Sequence, residues 1–92
     1  MARAAYVYML ACADGTLYTG WAYDVRRRLR AHQAGRGCRY TRSRRPLRLV
    51  YLERCSGRSQ AQQRERELKR LQRTAKLNLI DDKRRRKCRA LR

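Results

Sequence analysis

The apolar positions of this chain fall in short blocks whose spacing changes along its length. Tyr6-Val7-Tyr8-Met9-Leu10 and Leu17-Tyr18-Thr19-Gly20-Trp21 are aromatic and β-branched, and between them Asp14-Gly15 is a strong turn signal, so residues 6–22 read as a β-hairpin. Two registers are open. With Asp14-Gly15 as a two-residue turn, Ala11 opposes Tyr18, and Tyr8 and Tyr18 lie on opposite faces. With Ala13-Asp14-Gly15 as a three-residue loop and Gly15 left-handed, Leu10 opposes Tyr18, Tyr8 opposes Gly20, and the two tyrosines share a face. The second is preferred, because Gly20 weakens a strand unless something approaches the backbone there, on the side of Tyr8. The tyrosines are then either packing residues of a half-buried sheet or a functional group of hydroxyls.

Beyond the hairpin the period becomes helical. Asp24 is placed to cap a helix from Val25 to about Ala34, which Gly35 and Gly37 end. Val25 and Leu29 mark its inward face, and Arg28 and His32, four residues apart, emerge together beside that face. Taken alone, this pair is equally a snorkelling Arg and a His satisfied by a carbonyl. Residues 35–46 lack a period and read as a loop, in which Arg36, Arg39, Arg42, Arg44 and Arg45 surround Tyr40. That mixture suits single strands or distorted duplex, and a solvated loop would look similar. Residues 47–52 read as a third strand, which a lone hairpin needs for stability.

Ser59-Gln60-Ala61-Gln62 matches a capping box for a helix running to about Arg73, with Ala61, Leu68 and Leu71 inward. Glu65 falls on the face of Ala61 and Leu68. A carboxylate there is costly unless it is paired or binds a cation, and both a metal ligand and a salt bridge to an Arg answer that. Glu67 points elsewhere, between Arg64 and Arg70, as their surface partner. Thr74 is placed to cap a last helix through Leu77, Leu79 and Ile80. The basic run from Lys83 to Lys87 then reads as a solvated or frayed tail, or as an electrostatic arm without sequence specificity. The expected division is a domain over residues 1–82 and a basic tail over 83–92.

Composition narrows the partner. The 92 residues suffice for one domain, and 26 Lys and Arg against 7 Asp and Glu give a net charge of +19. Seven of the basic groups lie in residues 83–92, so the folded part is itself strongly basic. Such self-repulsion is relieved by a polyanion, with nucleic acid ahead of an anionic membrane surface. No apolar run approaches the roughly 18 residues of a membrane span, and the N-terminus lacks a signal-peptide layout, so no membrane partner and a cytoplasmic location are expected. Cys12, Cys38, Cys55 and Cys88 are widely spaced and the chain holds one His, which disfavours zinc and suits free thiols in a reducing compartment.

Tyr6-Val7-Tyr8, Tyr18-Thr19-Gly20, Arg28-x-x-x-His32 and Glu65 on a later helix, in that order, resemble the signature of the GIY-YIG nuclease superfamily. The phrases Ala13-Asp14-Gly15-Thr16-Leu17-Tyr18-Thr19-Gly20, Asp24-Val25-Arg26-Arg27-Arg28-Leu29, Arg39-Tyr40-Thr41-Arg42 and Leu68-Lys69-Arg70-Leu71 are similar to its small, stand-alone, YhbQ-like branch. The resemblance covers residues 5 to about 80. It implies an α+β fold with a three-stranded antiparallel sheet flanked by helices, in the order β-β-α-β-α-α. It further implies phosphodiester cleavage with one divalent metal, Mg²⁺ or Mn²⁺, on nucleic acid, DNA being favoured over RNA.

By position in the motif, Glu65 would be the metal ligand and Arg28 would hold the scissile phosphate. One of Tyr8 and Tyr18 would activate or orient water while the other positions phosphate, and His32 would assist the base or the tyrosine hydroxyl. Gly20 would allow close approach to the backbone, and Arg36, Arg39, Tyr40, Arg42, Arg44, Arg45 and Lys69 would contact the nucleic acid. The residue types suit the chemistry: charge gathers on the non-bridging oxygens, where a metal and an Arg are worth several kcal/mol. Nearby cations and a His32 acceptor would draw a tyrosine toward working pH. The triplets here are Tyr-Val-Tyr and Tyr-Thr-Gly, so Tyr8, Tyr18 and Gly20 alone keep the named letters. Asn78 lies where many members carry an Asn, at an uncertain offset. The alternative function is a basic DNA- or RNA-binding module that keeps the scaffold and cleaves nothing.

Overall fold

The computed structural model describes residues 3–90, with side chains through residue 85; the side chains of Arg86, Lys87 and Cys88 lie outside the described residues. The elements are β1 (Ala5–Ala11), β2 (Leu17–Ala22), α1 (Val25–Gln33), α2 (Arg39–Arg42), β3 (Arg48–Cys55), α3 (Arg58–Arg70) and α4 (Arg73–Ala90). This is the expected three-stranded antiparallel sheet flanked by helices, with one added helical turn, α2, in the basic loop. Four residues are too few to leave a period in the sequence.

The strand order is β2-β1-β3, so β2 and β3 are both edges. Leu10 pairs with Tyr18 and Tyr8 with Gly20, the register of the three-residue loop. Its turn is closed by Cys12 N–H to Thr16 O at 2.9 Å and Gly15 N–H to Cys12 O at 3.0 Å, with Gly15 at φ 85°. The register shifts where β3 meets β1, leaving Val50 as an extra residue between Tyr51, opposite Met9, and Leu49, opposite Leu10.

Alternation along β1 divides the core. Ala5, Val7 and Met9 join Tyr51, Cys55, Ala61, Leu68 and Ile80 beneath α3 and α4, while Tyr8, Leu10 and Cys12 join Ala22 and Leu47 with Val25 and Leu29 of α1. Full burial of a side chain such as Met9, Leu10 or Leu68 stabilises by about 1.5–3 kcal/mol.

The caps explain the helix limits. Asp24 accepts from Arg27 N–H at 3.1 Å, opening α1 where the sequence places it. Its other end closes with Arg36 N–H to Ala31 O at 2.8 Å and Gly35 N–H to His32 O at 3.1 Å around a left-handed Gly35. The side chain of Gln33 then bonds both Leu47 O and Leu47 N–H, clamping α1 to the start of β3.

The Ser59 capping box is not formed. The N-cap of α3 is Gly57, without a side-chain bond, and it is Gln60, not the box glutamine Gln62, that reaches back to accept from Ser56 N–H at 2.6 Å. α3 stops at Arg70 because Leu71 turns extended, with ψ 144°. α4 starts at Arg73, which puts Thr74 inside its first turn rather than at its cap. It also runs on through Ala90, past Asp82, with Lys83 Nζ donating to Leu52 O and lying 5.2 Å from the Tyr51 ring centroid. No helix among the described residues is long and apolar enough to cross a membrane.

Candidate active site

The hairpin register puts Tyr8 and Tyr18 on one face with ring centroids 6.4 Å apart. Gly20 is glycine because of that arrangement: a Cβ there would stand 2.7 Å from the Tyr8 hydroxyl and 2.8 Å from Cζ. The close approach read from the sequence is thus made by Tyr8 itself, whose phenol crosses the neighbouring strand. Tyr8 and His32 are almost wholly buried, at 2% and 1% exposure. The Tyr8 hydroxyl meets His32 Nε2 at 3.0 Å, and the other ring nitrogen, Nδ1, meets Thr41 Oγ1 at 2.8 Å.

Tyr8, Tyr18, Gly20, Arg28 and Glu65 line one cavity of about 350 Å³, together with Trp21, Ala22 and Tyr23. Residues from both faces of β2 contribute, so the cavity wraps the free edge of that strand, between Arg28 on α1 and Glu65 on α3. The acid therefore reaches the tyrosines although α3 packs on the opposite face of the sheet. His32 joins the group from behind, through Tyr8. Among the described residues no guanidinium pairs with Glu65; Lys69 Nζ lies 2.8 Å from Oε1, with the Glu65 side chain 19% and that of Lys69 52% exposed. An ion pair so open to water is weak and replaceable.

A lone carboxylate facing a wet cavity suits a hard cation that keeps its waters and completes its shell from substrate oxygens, as Mg²⁺ does. Among the described residues no three of His, Cys, Asp and Glu cluster into an all-protein cage.

Burial dominates the titration of the site. It pushes Tyr8 up to about 12, against the pull of Arg28, and pushes Tyr18 higher still. It holds His32 below its usual value, helped by repulsion from Arg28. At neutral pH the site therefore contains two phenols and a neutral imidazole. The cation beside Tyr8 alone does not bring it to working pH; burial outweighs it. Burial also raises the Cys38 thiol, but hydrogen bonds from Thr41 and Tyr18 outweigh that and bring it below the ordinary range.

The loop arginines divide into two sets. Arg44 Nε bonds Asp14 at 2.9 Å, its Nη1 bonds Tyr40 O at 2.8 Å, and its guanidinium lies 3.9 Å from the Tyr40 ring centroid. Tyr40 also stacks on Tyr18, at 5.8 Å and 29°. Arg42 bonds Gly35 O at 3.2 Å, and Arg45 bonds Arg42 O at 2.9 Å and Gln33 O at 3.2 Å. These three cations hold the loop against α1 and the hairpin. Arg36 and Arg39 make no side-chain hydrogen bond among the described residues. Asn78 is exposed on α4 and lines no part of the cavity.

Sequence reasoning missed Thr41 and Gly37. Thr41 is 0% exposed, and a Cβ at Gly37 would stand 2.0 Å from His32 Nδ1. Gly37 reads from the sequence only as a helix stop and Thr41 only as part of the Arg39-Tyr40-Thr41-Arg42 phrase, and neither signal connects it to His32 before the chain is folded. Glu67 does pair with Arg64, at 3.0 Å, and Arg64 also holds Glu53 at 2.9 Å, which accepts from the Tyr51 hydroxyl at 2.6 Å.

The family model described as the GIY-YIG catalytic domain matches residues 4–78. A UPF0213 protein of Natronomonas pharaonis is 51% identical over 82 residues, 89% of this chain and 96% of its own. A UPF0213 protein of Clostridium perfringens is 47% identical over 78 residues, 85% of this chain and 84% of its own. The solution NMR structure of a UPF0213 protein from Bacillus halodurans shares 42% identity at a TM-score of 0.55, covering 85% of this chain and 83% of that one.

Proposed function

The chain belongs to the GIY-YIG family, and from that premise we propose that it is a metal-dependent endonuclease that hydrolyses phosphodiester bonds in DNA. The observation that supports this most is the shared cavity of Tyr8, Tyr18, Arg28 and Glu65 with His32 bonded behind Tyr8. Glu65 is the residue that would hold Mg²⁺ or Mn²⁺, and such a cation supplies positive charge where the non-bridging oxygens gain negative charge.

The protein's own side chains account for the rest. Arg28, exposed at the rim, binds the scissile phosphate and opposes the same build-up of charge. Tyr18 orients that phosphate through its hydroxyl. Tyr8, a phenol at rest, works by passing a proton: an attacking water gives one to the phenolic oxygen as the phenolic proton transfers to neutral His32 across a hydrogen bond of 3.0 Å. Arg36, Arg39 and Lys69 lie free or weakly tied and would contact the backbone, a sequence-blind contact. With so little surface for reading bases, the favoured substrate is branched, nicked or flapped DNA rather than a particular sequence.

Plasmid and branched-DNA nicking with Mg²⁺ or Mn²⁺ tests this reading. Glu65→Ala is expected to abolish product, and equal activity in that variant would reject Glu65 as the metal site. A second reading is favoured by the Glu65–Lys69 pair, which neutralises the acid without a metal: a basic module that binds nucleic acid and does not cut. Binding that persists in EDTA, with no product at any metal concentration, would select it.

A further inference from the structure

We propose that Thr41 is a positioning residue that fixes the tautomer of His32, with the proton on Nδ1 and a bare Nε2 facing the Tyr8 hydroxyl. The catalytic consequence rests on the nuclease reading above; the tautomer does not.

The argument starts from the one proton that the Thr41 hydroxyl has to give. Oγ1 stands 3.3 Å from Cys38 O, 2.8 Å from His32 Nδ1 and 3.5 Å from Cys38 Sγ, whose thiol can itself donate to the hydroxyl oxygen. A carbonyl can only accept, whereas Nδ1 can do either. The hydroxyl proton therefore goes to Cys38 O, the local back-bond that threonine favours near a helix start, and Nδ1 must donate to Oγ1. Nε2 is then without a proton, and the Tyr8 hydroxyl, 3.0 Å away, donates to it. Exposures of 0% for Thr41 and 1% for His32 leave no water to offer the ring another partner. Gly37 closes the remaining side, because the ring lies where a Cβ would be.

This tautomer keeps the proton relay open. When water protonates the Tyr8 oxygen, the original phenolic O–H bond breaks and an Nε2–H bond forms, giving an imidazolium whose Nδ1–H is still accepted by Thr41. In the other tautomer Nε2 already carries its proton and donates to Tyr8, so the phenolic proton has no acceptor and the relay stops. The phrase Arg39-Tyr40-Thr41-Arg42 thus contributes its threonine to the site and its arginines to the loop and surface.

His32 is the single histidine of the chain, so ¹⁵N-labelled full-length protein gives one imidazole whose multiple-bond ¹H–¹⁵N correlations report the tautomer directly. The wild-type protein is expected to show Nδ1–H at neutral pH, and Thr41→Ser to keep it. Thr41→Val, which removes the acceptor, is expected to shift the ring to Nε2–H and to lower metal-dependent nicking by about 10²-fold or more. Nε2–H in the wild type, or an unchanged tautomer in Thr41→Val, would overturn the assignment. Should Thr41→Val fail to fold, the wild-type spectrum and that of Thr41→Ser still decide it. The expected tautomer in a protein that cuts no DNA would remove the nuclease reading and leave Thr41 in its assigned role.

Discussion

Replacing Gly37 by Ala tests whether the His32 ring is as tightly held as the site requires. The added Cβ would stand 2.0 Å from Nδ1, 2.5 Å from Cγ and 2.6 Å from Cε1, so the ring must move by an ångström or more. It cannot do so and keep its bonds of 2.8 Å to Thr41 and 3.0 Å to Tyr8. Leaving a buried partner unsatisfied costs about 1–3 kcal/mol. Crowding a packed site adds about 1–3 kcal/mol. A loss of about 2–6 kcal/mol follows, a large part of the 5–15 kcal/mol typical of a whole domain. At about 4–8 °C per kcal/mol for a domain of this size, thermal unfolding followed by circular dichroism should shift down by roughly 8 °C or more.

Gly15→Ala is the control. A Cβ there meets nothing within 4 Å, but the left-handed φ of 85° costs about 1–2 kcal/mol. Adding Gly37→Ala to His32→Ala removes the collision, so the glycine substitution should then cost about 1 kcal/mol or less. A Gly37→Ala penalty no larger than that of Gly15→Ala, or one unchanged in the His32→Ala background, would refute the reasoning.

Thr19, 3% exposed on the α3 side of β2, has a buried hydroxyl with no hydrogen-bond partner among the described residues. Thr19→Val should therefore raise the urea midpoint, by about 1 kcal/mol of stability, and a lower midpoint would show that the hydroxyl is bonded after all. The depressed His32 value makes a pH prediction with a definite sign. Below the unfolded value of about 6.5 the unfolded chain binds the imidazole proton before the folded one does, so stability rises with pH across that window and is lost as acid approaches the folded value. Melting temperature should fall between pH 7 and pH 5, and His32→Gln should flatten that fall; parallel curves for the two proteins would rule the assignment out.

The local signals in the chain carried a long way. Asp14-Gly15 located the turn, Gly20 chose the three-residue loop from the two registers it allows, and that register decides that Tyr8 and Tyr18 share a face. Asp24 and Gly35 bound α1 through short-range bonds to their own helix, and such bonds are written in the neighbouring residues. Glu65 stood out because a carboxylate broke an apolar stripe. In each case the partners lie within a few residues, or the pattern repeats with a fixed period.

What the sequence could not show are the contacts set by distance in space. The composition marked the arginines of residues 35–46 as one cationic group, and folding divides them: Arg42, Arg44 and Arg45 are tied to carbonyls, an aspartate and a ring, while Arg36 and Arg39 make no side-chain hydrogen bond among the described residues. Thr41 and Gly37 have no polarity or period that sets them apart. They acquire meaning when α1 and the loop close around the His32 ring, one supplying an oxygen and the other an empty space. The chain by itself determined the strands, the turn and the chemical groups available. Tertiary packing alone decided that a helix from the opposite face of the sheet brings Glu65 around a free strand edge to the phenols, because burial and hydrogen-bond geometry are properties of the assembled fold.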